Sequence, residues 1–243
     1  MQIIKLSATG STNTYLKGLM ISENLPDLTV VVTENQTKGR GQMNTSWESK
    51  AGNNLTFSVL KKHQDLRIDH QFLISICASL AVYSVLRGLN LPRVKIKWPN
   101  DILSGMLKVC GILVENIISG SKVKTSIIGI GLNVNQTEFS HYLKATSIKK
   151  ELKHEQNLEA LLKRILEKLQ VFLLQIDVIN KIELYREYEK VLFRKDKVST
   201  FQKPDGSVFT GIISGISSKG ELRLKLEDDT YEEFGLKKIK LLY

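Results

Sequence analysis

The chain has 243 residues, 42% of them hydrophobic, enough for a sizeable core in one large domain or in a main domain with a small appendage. Its 35 Lys and Arg against 25 Asp and Glu give a formal charge of +10. That surplus raises a polyanion as partner, but the basic residues form no dense block and come with no helix-turn-helix, zinc-finger or aromatic-rich RNA-recognition pattern, so nucleic acid is not expected.

Two cysteines, Cys77 and Cys110, are too few for a secreted disulfide scaffold. The histidines His63, His70, His141 and His154 are scattered without zinc-ligand spacing, so no transition metal is expected. The start, "MQIIKLSATGSTNTYLKG", is broken by polar residues too early for a signal peptide, and no apolar run reaches membrane-spanning length. A cytoplasmic location without membrane attachment is the expectation.

In chain order, hydroxyl and amide residues suited to an N-cap open a helix from Thr12 to Glu23. Strands are predicted at Thr29 to Thr33 and Asn54 to Leu60. Asp69 is placed to cap a buried helix whose apolar stripe holds Phe72, Ile76, Leu80, Tyr83, Val85 and Leu86. Further strands follow at Val94 to Trp98, Gly111 to Ile118 and Thr125 to Val134, then helices at Asn157 to Gln175 and Lys181 to Leu192. From about Phe193 the pattern changes to short strands separated by "KPDG", "SKG" and "EDD", each a turn signal, which predicts a small β-barrel. The expected fold is α+β: a mixed sheet backed by helices over residues 1–192, then a small β domain over 193–243.

Four segments carry candidate chemistry. "STN" at Ser11 to Asn13 suits a helix cap. "TKGRGQMNTSWES" at Thr37 to Ser49 puts Gly39 and Gly41 around Arg40 and ends near Trp47. There, glycines let backbone approach a ligand, exposed N–H groups with Arg40 face an anion, and the indole offers a flat surface. "KWPNDIL" at Lys97 to Leu103 precedes "KVCGILVE" at Lys108 to Glu115, and "GIGLNVN" spans Gly129 to Asn135. Each also has an ordinary structural reading: a strand connection, a Pro-Asn-Asp turn, a solvated lysine, or relief of crowding between strand and helix.

Taken together and in this order, the Gly-Arg-Gly loop ending in Trp, Lys-Trp-Pro-Asn-Asp, Lys-x-x-Gly-Ile-Leu-Val-Glu and Gly-x-Gly-x-Asn resemble the biotin protein ligases over essentially the whole chain. The resemblance implies a class II synthetase-like catalytic domain with a small SH3-like C-terminal domain. It implies adenylation of biotin by MgATP and transfer of biotin to a lysine of a biotin carboxyl carrier protein. No transition metal is implied, Mg²⁺ being expected only with ATP; a homodimer is compatible.

Carried over residue by residue, the resemblance assigns Lys108, Asp101 and Arg40 to catalysis, Lys108 at the biotin carboxylate and Asp101 orienting or deprotonating the incoming lysine. Ser11, Thr12, Asn13 and Gln36 face biotin. Gly39, Arg40 and Gly41 close over it, with Gly111, Gly129 and Gly131 lining the slot. Trp47, Asn133, Asn100 and Gln42 fall at the nucleotide. The loop is expected to order over biotinyl-AMP and shield the anhydride from water.

Departures from the family pattern are Gln42 and Thr45 where many members carry arginines, and Asn44 where many carry glycine, leaving Lys38 and Arg40 as the loop's cations. Lys108 and Mg²⁺ are then expected to take more of the phosphate charge, with Gln42 a neutral donor. The family's N-terminal winged helix-turn-helix has no counterpart in this sequence, so sequence-specific DNA binding is not expected. Competing readings are a lipoate or octanoate ligase of the same architecture, a basic nucleic-acid-binding module, and an inactive carrier-binding paralogue.

Overall fold

The computed structural model describes residues 1–42, 45–140, 143–178 and 181–243. Seven strands form a mixed sheet in the order β1-β2-β3-β7-β6-β5-β4: β1 (Ile3–Thr9), β2 (Val30–Gln36), β3 (Leu55–Arg67), β4 (Val94–Lys97), β5 (Asp101–Ser104), β6 (Leu107–Ser119) and β7 (Lys122–Leu132). Only β1 and β2 pair in parallel, joined through helix α1 (Thr12–Ser22); the other neighbours are antiparallel.

Both faces of this sheet are covered, and the period of two in its strands assigns residues to each. Val30, Val59 and Ile128 belong to the large core, while their chain neighbours Val31, Leu60 and Ile127 join Leu16 of α1 in a separate cluster. The large core is closed by helix α2 (Phe72–Gly88) and helix α4 (Leu158–Val178). In α4, Leu162, Ile165, Leu166, Leu169, Leu173 and Ile176 recur at helical spacing and are all buried. By length and apolar composition Ile68–Gly88 could cross a membrane, contrary to the expectation that no such run exists. Its apolar side chains face protein: twelve residues of α2 are buried.

Several other boundaries differ from those predicted. Asp69 does not cap α2. It lies in a 3-10 turn, Ile68–His70, with its carboxylate 3.3 Å from the Arg67 guanidinium, and Gln71 precedes the helix without a side-chain cap bond. β3 continues past Leu60 because its polar end still pairs with β7, Lys61 opposite Ser126 and Leu66 opposite Val123. β5 and helix α3 (Ile148–Leu152) are too short to leave a periodicity, as is β12 (Lys240–Leu242). Helix α5 (Lys181–Lys190) ends the helical part.

The second sheet is antiparallel, in the order β11-β10-β9-β8-β12, built from β8 (Val198–Gln202), β9 (Val208–Ile216), β10 (Leu222–Lys225), β11 (Tyr231–Phe234) and β12. β11 and β12 are its edges and do not pair with each other, so the expected barrel is open in its hydrogen bonding. Phe201, Ile213, Ile216 and Leu222 belong to the same buried cluster as the core of the large sheet. Polar links reinforce the junction. The Trp98 indole donates to the Gly220 carbonyl at 2.9 Å, Tyr185 donates to the Ser218 carbonyl at 2.7 Å, and Glu189 accepts from the Ile216 amide at 2.8 Å.

Candidate active site

The α1-side face of β3 and β7 changes character along its length. Leu60 opposite Ile127 is apolar and packed under α1; two residues on, Ser58 stands opposite Gly129, then Thr56 opposite Gly131. On the neighbouring strand Gly111 pairs with Gly131 and Leu113 with Gly129. Side chains thus shrink until the sheet floor is bare, and a cavity of about 820 Å³ opens above it. A Cβ on Gly131 would stand 2.6 Å from Trp47 Nε1, and one on Gly129 would stand 3.0 Å from Asn13 Cγ, so neither position has room for a side chain in this packing.

The N-terminus of α1 forms one wall. Ser11 is the N-cap, its oxygen accepting from the Thr14 amide at 3.4 Å. Gln36, at the end of β2, turns its Oε1 to the Thr12 amide at 2.9 Å and the Thr12 hydroxyl at 3.3 Å. Ser58 Oγ lies 2.7 Å from the same hydroxyl and 2.6 Å from Asn13 Oδ1. Asn13 Nδ2 donates to Glu115 at 2.6 Å, and Glu115 takes the Arg40 guanidinium at 3.2 Å. This chain of contacts ties the helix start, the loop and β6 into one polar network. Thr9 and Gln36 are paired at the same end of the parallel strands, so the helix start and the loop leave the sheet side by side.

The loop folds back on itself. Arg40 bridges Ser46, the Gly41 amide donates to the Thr45 carbonyl at 2.6 Å, and the Trp47 amide donates to the Gly39 carbonyl at 3.0 Å. The expected departure at Asn44 lies outside the described residues, as does His141. The return strand of the loop lays the Trp47 indole against Gly111 and Gly131, with Lys108 Nζ 5.4 Å from the ring centroid. The indole N–H is buried and has no hydrogen-bond partner among the described residues. An unpartnered buried donor in a cavity wall marks a place where a ligand acceptor fits.

Opposite the loop, Lys108 Nζ and Asp101 Oδ1 are 2.6 Å apart, and Lys97 Nζ stands 3.9 Å from the other oxygen of the same carboxylate. Lys108 is fixed through its backbone, its amide donating to the Lys144 carbonyl at 2.8 Å and its carbonyl accepting from Thr146 at 2.9 Å. Asn100 straps the Trp98–Asp101 turn to β6: its side chain donates to the Ile112 carbonyl at 2.8 Å and its carbonyl accepts from the Ile112 amide at 3.0 Å. Lys97 is packed beside the Tyr243 ring, 5.0 Å from its centroid, and Lys144 Nζ is 4.9 Å from the same centroid. Burial holds the Lys97 amine below the usual lysine range; Asp101 works against that shift, and Lys108, Lys240 and Lys144 add to it.

The cavity therefore gathers Ser11, Thr12, Asn13, Gln36, Arg40, Gly41, Gln42, Trp47, Asn100, Asp101, Lys108, Gly111, Gly129 and Gly131 from across the sequence. Two expected residues are not on its wall. Gly39 lies behind the loop, where a Cβ would meet Gln36 Nε2 at 2.6 Å. Asn133 is buried, its amide donated to the Thr146 carbonyl at 3.0 Å, so here it holds the segment that flanks Lys108 instead of facing the cavity. Ser58 was not singled out from sequence, and Glu115, although it closes the Lys108–Glu115 motif, was given no role. The signal for Ser58 is strand alternation, which places it on the same face as Thr56 and Leu60 once the register is known. No cluster of three or more His, Cys, Asp or Glu that could hold a metal occurs among the described residues.

Comparison with known proteins fits this geometry. Residues 6–133 match the biotin/lipoate A/B protein ligase family, a span that holds the floor, the loop and the Lys108–Asp101 pair. The chain belongs to that family. Its C-terminal part has a counterpart too. A biotin protein ligase from Aquifex aeolicus, solved in complex with biotin and ATP, superposes with a TM-score of 0.82 at 25% identity over 99% of this chain and 98% of that one. The biotin–[acetyl-CoA-carboxylase] ligase of Mycobacterium tuberculosis is 29% identical over 226 residues, covering 92% of this chain and 83% of that protein. The bifunctional ligase/repressor BirA of Bacillus subtilis is 37% identical over 133 residues. This chain covers only 41% of that relative, and 36% of the Bacillus spizizenii protein of the same name.

Proposed function

We propose that this family member is a biotin protein ligase, joining biotin to a lysine of a biotin carboxyl carrier protein at the expense of ATP. The observation that carries the reading is the Lys108–Asp101 pair beside a bare glycine floor, under a loop that lays Trp47 across it. The near-complete superposition on a ligase that holds biotin and ATP supports it.

In the first step a carboxylate oxygen of biotin attacks the α-phosphorus, the bond from that phosphorus to the bridging oxygen breaks, and pyrophosphate leaves. Two anions must meet, so fixed donors have to be in place beforehand. Lys108 and Arg40 supply cationic N–H groups, and the loop amides add neutral ones. Ser11, Thr12 and Gln36 offer the polar wall for the ureido ring. Mg²⁺ enters with ATP as part of the substrate. In the second step the carrier lysine attacks the acyl carbon as a neutral amine and AMP departs; Asp101 accepts or directs its proton. Its 2.6 Å contact with Lys108 holds the Asp101 carboxylate in place for that task.

Exchange of labelled pyrophosphate into ATP, compared for biotin, lipoate and octanoate, tests the reading. Biotin-dependent exchange is the expected result. Exchange supported by lipoate or octanoate in its place would reassign the acid while keeping the adenylation, and no exchange with any of the three would overturn the proposal.

A further inference from the structure

Glu115 does not border the cavity; it faces the hollow behind the Arg40 loop. The two side chains it holds both border the cavity, Asn13 through Nδ2 at 2.6 Å and Arg40 through Nη2 at 3.2 Å. A glutamate carboxylate offers acceptors and no donor, so the nitrogen of the Asn13 carboxamide has to be the atom that faces it. The Leu113 carbonyl, 3.4 Å from the same nitrogen, requires the same orientation. Turning the carboxamide over would set its oxygen against two others with no proton between them. Asn13 has no second place to go, because it is 3% exposed and its carboxamide fills the space that a Gly129 side chain would take.

With that nitrogen fixed, the remaining protons follow in order. Asn13 Oδ1 can only accept, so its 2.6 Å contact with Ser58 takes the single Ser58 proton. Ser58 Oγ also lies 2.7 Å from the Thr12 hydroxyl, a separation that needs a proton between the oxygens, and only Thr12 has one left to give. Thr12 therefore donates to Ser58 and not to Gln36 Oε1, which stands farther off at 3.3 Å and is already served by the Thr12 amide at 2.9 Å. What Thr12 then turns to the cavity is a lone pair. Ser11 is the reverse: its oxygen accepts from the Thr14 amide, and no acceptor for its own proton is found among the described residues. The wall thus presents an acceptor at Thr12 beside a donor at Ser11, both lining the cavity. A cyclic urea carries the complement, an N–H beside a C=O.

Resting on the ligase reading above, we propose that Glu115 is a positioning residue that sets the hydrogen-bond direction of the acid-binding wall. Acting through Asn13, Ser58 and Thr12 in turn, it obliges Thr12 to meet the substrate as an acceptor, and so selects an acid whose head group carries an N–H. Lipoate and octanoate offer that lone pair no donor. The same carboxylate holds Arg40 through both oxygens at 3.2 Å, and Arg40 also reaches the Thr14 hydroxyl at 3.1 Å, which pins the loop to the helix start that carries Ser11 and Thr12. Protons are oriented along this line and none is transferred.

Titration calorimetry of the full chain, comparing biotin with an analogue in which ring oxygens replace both ureido N–H groups, tests the direction of the wall. The wild-type chain should bind biotin at least about tenfold more tightly, since the analogue sets an oxygen against the Thr12 lone pair. Glu115→Ala frees Asn13 to turn over and Thr12 to point its proton inward, so the preference should shrink about fivefold or more. Glu115→Gln still offers Asn13 a carbonyl oxygen and should keep most of the preference. Ser58→Ala removes the acceptor for the Thr12 proton and should lose it as Glu115→Ala does. The double variant should lose no more than either single one, because both substitutions cut the same line. A merely structural Glu115 would weaken biotin and analogue in equal proportion. An unchanged ratio in Glu115→Ala or Ser58→Ala with a wild-type melting curve would therefore overturn the proposal, as would full additivity in the double variant. A wild-type chain that binds biotin without preference over the analogue would overturn it and leave the ligase reading standing, whereas a chain that neither binds biotin nor supports exchange would remove both.

Discussion

Lys108 and Asp101 sit 2.6 Å apart at the mouth of two strands, and each limits what the other can do. With Asp101 neutralising it, Lys108 can approach an incoming carboxylate only as that pair loosens. Lys108→Ala should therefore slow biotin-dependent exchange by at least about tenfold, or about 1.4 kcal/mol of barrier. A rate within about threefold of wild type, below about 1 kcal/mol, would remove Lys108 from the adenylation step. Lys97 offers a second test. Burial depresses its pKa and Asp101 partly restores it, so folding disfavours its charged form. Its contribution to stability is accordingly unfavourable at neutral pH, and the cost lifts as pH rises through the depressed value toward the unfolded one. Asp101→Asn removes the restoring charge and should lower the Lys97 pKa further, read from the amine resonance in an NMR titration; a rise would show that Asp101 does not stabilise that ammonium. Residues such as these were legible in the sequence because their signal is local: Lys-Trp-Pro-Asn-Asp and Lys-x-x-Gly are contiguous patterns. Ser58 escaped because its role depends on register between strands far apart in the chain, and Glu115 was read as part of a motif but not as the partner of Asn13 and Arg40. Asn133 lay in a legible motif, yet its side chain turns to Thr146.

At the scale of elements, long periodic segments were readable and short ones were not. α2 and α4 announce themselves by apolar spacing, whereas β5, β12 and α3 are held by their neighbours and carry no pattern of their own. The Asp69 cap failed because Arg67 competes for the carboxylate and a 3-10 turn intervenes before the helix. Nor could sequence show how α5 grips the second sheet. Glu189 reaches from α5 to the Ile216 amide, and a Cβ on Gly215, whose φ is 158°, would stand 2.8 Å from the Glu189 carboxyl carbon. Glu189→Ala should destabilise the chain by about 1–3 kcal/mol, since it leaves the Ile216 donor without an acceptor. Denaturant midpoints at constant m-value would measure this. A change smaller than about 0.5 kcal/mol would mean that water replaces the carboxylate at no cost.

For the whole molecule, the change of pattern near Phe193 was readable as a small β domain, but how that domain docks was not. The second sheet shares its buried side chains with the large sheet and hydrogen-bonds to the Trp98 turn, so it is packed into the same core. Its lysines reach the cavity only through this docking, which no linear motif encodes. Among the described residues, the crowding of six cations, Arg40, Lys97, Lys108, Lys203, Lys237 and Lys240, around one carboxylate, Asp101, also means that the folded cleft carries unfavourable self-repulsion. Simple salt screens that repulsion and the attraction for a nucleotide alike. Raising sodium chloride should consequently increase the melting temperature while weakening capture of ATP, so fold and function answer ionic strength with opposite signs. Equal ionic strength supplied as pyrophosphate should raise the melting temperature further than chloride does, because a ligand that seats only in the folded chain draws the equilibrium toward it. A melting temperature indifferent to both salts would show that solvent already dissipates the repulsion, and that the cleft waits for its anion without tension.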